Sequence, residues 1–246
     1  MQERHVALVT GGSRGIGAET ALALAEHGYD VAFAYRNKAA RAQEVVAALT
    51  QRGAETLALC CDITQMEDVA RLFQQTGQWR AHLDLLVLNA SGGMEQDLVA
   101  ADPDYPMHIN RDAQLALVMS ALPLLRPGGV IVFVTSHWAH LYGQIQQLPA
   151  YEPVARSKHA GEQALRALQP EIEAAGLRLL VVTGDLIEGT ITPRLLERSA
   201  PGLLEQRRTS QGALPTARDM ARALVLAAID PIFVSGATIV IGASLQ

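Results

Sequence analysis

The sequence predicts an α/β protein: a single doubly wound parallel sheet of about seven strands, helices on both faces and a small helical lid. Short apolar runs rich in β-branched residues recur along the chain. They lack the polar alternation of a half-exposed strand, as expected when both faces are covered. Longer helical patterns separate them, several ending at a glycine. At 246 residues the chain suits one domain with ample core, and 1–246 is read as a single unit without linker, repeat or low-complexity segment.

The strands are expected at 5–10 (HVALVT), 30–35 (DVAFAY), 56–60 (TLALC), 83–89 (LDLLVLN), 129–135 (GVIVFVT), 177–183 (LRLLVVT) and 237–242 (ATIVIG). Helical patterns occupy 15–28, 38–53, 103–125 and 153–175, giving βαβ units with right-handed crossovers. Residues 188–215 contain Pro193, Pro201, Gly202, Gly212 and Pro215; they interrupt the alternation and are expected to form a helical flap over a site.

Composition narrows the classes of function. The net charge of −5 leaves no basic stripe to neutralise phosphates, so no nucleic-acid partner is expected. No apolar run reaches the roughly 18 residues of a membrane span, and the start of the chain lacks a basic segment followed by an apolar one. With only two cysteines, a cytoplasmic protein is expected. Cys60 and Cys61 close a strand on opposite faces and read as small apolar filler. No His, Cys or carboxylate cluster has metal-ligand spacing, so no metal is expected.

The first strand runs straight into TGGSRGIG, residues 10–17. Gly11, Gly15 and Gly17 fall where a turn must be tight and a helix must open against a pyrophosphate, and the amides at that helix start favour an anion. A glycine-rich string is weak evidence alone and strong evidence between a first strand and an amphipathic helix. Such a Rossmann-type fold usually ends its second strand with an acidic residue for the ribose hydroxyls; here Arg36 and Asn37 stand there, and Arg14 lies in the loop. Two planar guanidinium groups suit a 2′-phosphate, so NADP(H) is the expected cofactor.

With these motifs the sequence resembles the short-chain dehydrogenase/reductase superfamily over essentially its whole length. The likeness rests on TGGSRGIG, on CDIT after the third strand, on LNAS at the end of the fourth, and on HIN, VTS and SK downstream. It implies that Ser13 and Ile16 join the glycines at the dinucleotide, and that Asp62 and Ile63 hold the adenine. Asn89, Ala90 and Ser91 match the family's Asn-Ala-Gly segment, with Leu88 and Ser91 departing from it. Asn110 would anchor the proton-relay water and Ser136 would polarise the substrate carbonyl. Lys158 would hold the nicotinamide ribose and lower the pKa of a neighbouring acid. Gly184 and Leu186 fall at the amide contact to the nicotinamide, although Thr183 replaces the family's proline. The resemblance also implies a small-molecule ketone substrate and a homodimer or homotetramer assembled through the helices at 103–125 and 153–175.

The family's acid is a tyrosine four residues before the lysine, a position held here by Val154. Three readings compete. Tyr151 can take over, because Tyr-x6-Lys is the spacing of enoyl-thioester reductases in the same superfamily. A seven-residue step puts both side chains on nearly one helical face, two turns apart. Pro153, however, places Tyr151 just ahead of the helix and leaves its ring direction open. In the second reading the proton source is atypical, a relayed water or the substrate itself. The chain is similar to atypical ketoreductases that tailor angucyclinone antibiotics, which implies reduction of a polycyclic aromatic polyketide ketone. In the third, the chain binds NADP(H) only as a sensor, a role with no need of Asn110, Ser136 and Lys158 together. His137, His140 and Tyr142 follow Ser136 and are candidate acids or packing residues; Trp138 lines a pocket or fills core.

Overall fold

A computed structural model describes residues 4–242. Seven parallel strands form one sheet in the order β3-β2-β1-β4-β5-β6-β7. They are β1 His5–Thr10, β2 Tyr29–Tyr35, β3 Thr56–Cys60, β4 Leu83–Leu88, β5 Leu125–Ser136, β6 Arg178–Gly184 and β7 Thr238–Ile241. All seven predicted strands are present. β5 begins earlier than the predicted 129 because Leu125 pairs with Leu83 before a register shift.

Successive residues of each strand enter opposite layers. On one face Val9, Phe33, Val87 and Val182 pack under α1 (Gly15–Glu26) and α2 (Ala39–Gln51), together with the C-terminal helix α12 (Ala217–Ile229). On the other, Leu8, Leu86, Phe133 and Val181 meet α3 (Met66–Trp79) and the helices that follow β4 and β5. Covering on both faces is why the strands read as unbroken apolar runs. β3 is an edge strand, and there the expectation of two filler cysteines fails in part: Cys61 is buried, whereas Cys60 is exposed and donates to the Arg36 carbonyl at 3.2 Å.

The long helices predicted after β4 and β5 are each interrupted. The first, predicted at 103–125, consists of a short α5 (Tyr105–Met107), a π-helical turn (His108–Asp112) and α6 (Ala113–Ala121), ending before Pro123, and an unpredicted α4 (Gln96–Ala101) precedes it. After β5 come α7 (His137–His140) and α8 (Glu152–Ala167), and Pro170 separates α8 from α9 (Gln169–Ala174). Proline lacks the N–H and crowds the carbonyl one turn back, so α8 does not continue. Residues 188–215 do contain helices, α10 (Ile191–Ser199) and α11 (Leu203–Gln211). Among the described residues no helix is long and apolar enough to cross a membrane.

The π turn is seated by α8. A Cβ on Gly161 would lie 2.0 Å from the Asn110 carbonyl oxygen, so only glycine lets the two backbones approach this closely. Gly161→Ala is expected to lower stability by about 2 kcal/mol, the overpacking cost exceeding the gain in helix propensity. Urea denaturation checks it; an unchanged midpoint refutes the contact.

Candidate active site

The site is built where β1 and β4 part, the point at which strand order reverses. Gly11 and Gly15 adopt left-handed backbone angles (φ 69° and 55°) that a side chain would strain. A Cβ on Gly17 would meet the Gly11 carbonyl oxygen at 2.4 Å, and one on Gly12, which sequence reasoning passed over, would meet Phe33 at 2.5 Å. Asn89 Nδ2 donates to the Thr10 carbonyl (2.9 Å), while Thr10 Oγ1 accepts from the Asn89 and Ala90 amides (3.0 Å each). These bonds rivet β4 to the start of the glycine loop. Arg14 precedes α1 without a side-chain cap, so the first-turn amides keep their capacity for an anion.

From this loop a cavity of about 430 Å³ runs over the C-terminal edge of the sheet. It is lined by Gly11, Ser13, Arg14, Gly15 and Ile16, by Arg36 and Asn37, by Asp62 and Ile63, and by Asn89, Ala90 and Ser91. Farther along it are Ser136, Tyr151, Lys158, Gly184 and Leu186. Of the residues expected at the site, Gly17 packs behind the loop and Asn110 lies beneath the wall. The cradle that added Cβ atoms would fill, the open helix start and the cationic far end all fit a dinucleotide phosphate.

At that far end Arg36 is held in place: Nη1 donates to Tyr105 Oη (2.6 Å) and Nη2 lies 3.6 Å from Glu95 Oε1. Glu95 also accepts from the Gly93 amide at 2.8 Å. Asp62 turns its carboxylate into a local turn, accepting from the Thr64 amide (3.0 Å) and hydroxyl (2.8 Å). Lys38 and Arg41 line the same end and went unnoticed in the sequence, though their spacing puts both at the start of α2. Tyr105 and Glu95 carried no local signal, since only the fold brings them to Arg36.

At the reacting end, Ser136 closes β5 and caps α7, its Oγ accepting from the Ala139 amide at 3.3 Å. Tyr151 is the N-cap of α8, outside the helix as Pro153 predicts, and its hydroxyl donates to the same Oγ at 3.2 Å. The ring therefore points to the cavity wall that holds Ser136, the direction that the sequence left open. Val154, in the family position, is buried in an apolar cluster with Trp138, Leu186 and Leu196. Burial pushes the Tyr151 phenol up, the Ser136 bond only partly opposing it, so the proton is held through neutral pH.

Lys158 is itself buried, its Nζ 5.9 Å from the centre of the Phe133 ring, and burial lowers its pKa from 10.5 to about 8. Asn110 Nδ2 donates to the Gly92 carbonyl (2.9 Å) and to Ser157 Oγ (3.0 Å), tying the loop after β4 to α8. The other candidate acids have partners elsewhere or lie outside the cavity wall. His140 pairs with Glu162 (2.8 Å), Tyr142 donates to Glu152 (2.5 Å), and His137 is buried, which holds it below its usual range. Trp138 does both things expected of it, lining the cavity and packing in the cluster. Among the described residues no group of three or more His, Cys, Asp or Glu is placed to hold a metal.

A buried ammonium with no hydrogen-bond partner among the described residues is a cost to the empty protein. Lys158→Met is expected to stabilise it by about 2–3 kcal/mol below pH 8. Because the folded pKa is depressed, that cost is full below about 8 and vanishes as pH rises toward 10.5. Thermal unfolding without nucleotide at several pH values measures it; a destabilised variant at pH 7 refutes it.

Comparison with known proteins agrees with this geometry. The family model for short chain dehydrogenases matches residues 5–198. The hydroxynaphthalene reductase-like protein Arp2 of Metarhizium anisopliae is 36% identical over 165 residues, covering 66% of this chain and 60% of that one. The 1-cyclohexenylcarbonyl-CoA reductase of Streptomyces collinus is 32% identical, over 75% of this chain and 65% of its own. The matched region thus spans under two thirds of these relatives' length. Among solved structures, a Burkholderia cenocepacia short chain dehydrogenase in complex with NADP superposes with TM-score 0.83 (29% identity, 98% and 96% covered). The promiscuous reductase LugOII, described as catalysing keto-reduction at C1 during lugdunomycin biosynthesis, gives 0.80 (27% identity, 96% and 95% covered). With a glycine-rich cradle, a parallel sheet in this order and a family match over most of its length, the chain belongs to the short-chain dehydrogenase/reductase superfamily of oxidoreductases.

Proposed function

We propose that the protein is an NADPH-dependent reductase acting on a ketone, with polycyclic aromatic ketones of secondary metabolism as the substrate class. The observation that carries this reading is the convergence of the Ser136 and Tyr151 hydroxyls, 3.2 Å apart, in a cavity wall that also holds Lys158. A bound reduced nicotinamide would supply the hydride. Ser136 Oγ already accepts two hydrogen bonds, which leaves its own hydrogen to orient a carbonyl oxygen. Tyr151, kept protonated by burial, donates to that oxygen as negative charge develops on it. Tyr151 thereby takes the part that the sequence left between a protein acid, water and the substrate. Lys158 would hold the ribose hydroxyls of the bound nucleotide, and Asn110 would anchor a water chain behind it.

The apolar wall of Trp138, Leu186 and Ile191 suits an aromatic substrate. The names of Arp2 and LugOII point to the same chemistry in those proteins. Arg14, Lys38 and Arg41 surround the adenosine end beside the anchored Arg36 and form no ion pair among the described residues, which supports NADPH over NADH. Residues 188–215 would serve as the lid over the substrate. A second reading, reduction of an enoyl thioester, is favoured by the Tyr151-x6-Lys158 spacing with the phenol in the site. The Streptomyces relative named for a cyclohexenylcarbonyl-CoA supports it.

Purified protein given NADPH and a peri-hydroxylated tetralone is expected to yield the alcohol, and Tyr151→Phe is expected to lower kcat by about 10²–10⁴-fold, as for loss of a general acid. Saturation of crotonyl-CoA with no ketone turnover selects the second reading. Tight NADPH binding without turnover of either compound indicates a sensor. For the cofactor, Arg41→Ala is expected to weaken NADPH about tenfold, ~1.4 kcal/mol, and to leave NADH nearly unchanged in fluorescence titration. Equal affinity of the native protein for both nucleotides overturns that assignment.

A further inference from the structure

Tyr151 is the N-cap of α8, so no preceding helical turn packs against its ring. Its ring is met edge-on by the Trp138 indole, with centroids 6.1 Å apart and planes at 69°. Edge-to-face contact restrains the direction of a ring as well as its position. Trp138 follows Ser136 by two residues, on α7, and lines the cavity. Arg207 of α11 lays its guanidinium over the same indole, Cζ 4.9 Å from the ring centre. Its Nη1 also lies 4.0 Å from Oδ2 of Asp185, a buried residue of the cavity wall directly after Gly184. One cation on the flap therefore bears on two walls, the end of β6 and the residue packed against the phenol.

We infer that Arg207 is a positioning residue: seated on Trp138, it fixes the Tyr151 ring so that the hydroxyl stays on Ser136, and proton donation then depends on α11 being docked. The inference rests on Tyr151 being the proton donor. Its physical basis is the steep dependence of a transfer step on placement, where a shift of about 1 Å can lower the rate on the order of a hundredfold. Arginine suits the place because its planar cation stacks on an aromatic face while its edge meets a carboxylate. The apolar neighbours Leu196, Leu203 and Leu214 close the flap on the same cluster without directing the ring.

The test uses the full chain with NADPH and the tetralone, or crotonyl-CoA if that is the compound turned over. Arg207→Met is expected to lower kcat about tenfold or more, to enlarge the solvent deuterium isotope effect on kcat, and to leave the NADPH Kd within about twofold. Arg207→Lys, which keeps a cation on the indole, is expected to recover part of the loss. In a Tyr151→Phe background Arg207→Met is expected to add nothing, as for two residues acting through one proton. Equal losses in both backgrounds, or an unchanged isotope effect, overturn the inference. Should Arg207→Met not fold, Trp138→Phe, which keeps an aromatic edge, is compared with Trp138→Leu; equal kcat and isotope effect in these two likewise overturn it. If Tyr151→Phe is fully active, the proton-donor reading fails and this inference with it. If Tyr151→Phe is inactive and Arg207→Met behaves as native, only the inference fails.

Discussion

The architecture hangs on the junction of β1 and β4. Asn89 reaches across to the Thr10 carbonyl, Thr10 returns its hydroxyl to the Asn89 and Ala90 amides, and Gly17 leaves no room for a Cβ between them. At this point the chain has turned outward in both directions, β2 and β3 to one side and β5 to β7 to the other. A parallel sheet that reverses order must open a crevice beyond its strand ends. The junction fixes the floor of that crevice, whose wall carries the proposed functional groups.

Tolerance of unfavourable local arrangements follows from this rigidity. Lys158 is buried at a depressed pKa, and the π turn at Asn110 departs from regular helix where α8 presses against it. The buried lysine is a cost to the empty protein, and both features lie at the proposed reacting end. π turns inside helices are frequently found at functional sites, and buried charges are retained where a reaction uses them. The covered sheet, with apolar residues in both layers, supplies the stability against which such features are held.

The flap follows a different logic. Its helices meet the rest of the molecule through a small apolar cluster, while the exposed Arg208–Glu188 pair, at 2.7 Å, lies within the flap itself. Surface pairs of this kind contribute little individually, so docking depends chiefly on Leu196, Leu203 and Leu214. That balance suits the proposed lid, which would admit a substrate and then exclude water.

Periodicity made the sheet readable before any coordinates, because strands covered on both faces must be apolar throughout and because glycine alone satisfies the backbone at Gly11 and Gly15. Residue chemistry likewise singled out Arg36, and the family resemblance singled out Ser136 and Lys158. Local pattern did not reveal the direction of the Tyr151 ring. Pro153 put that residue ahead of its helix, where no regular geometry dictates a side chain's course, and the choice fell to packing by Trp138, an element away in sequence. The same holds for Glu95 and Tyr105 around Arg36 and for Arg207 on the flap: contacts between distant segments exist only once the layers have closed. Covalent neighbours decided which elements form. Long-range packing decided which hydroxyl meets Ser136.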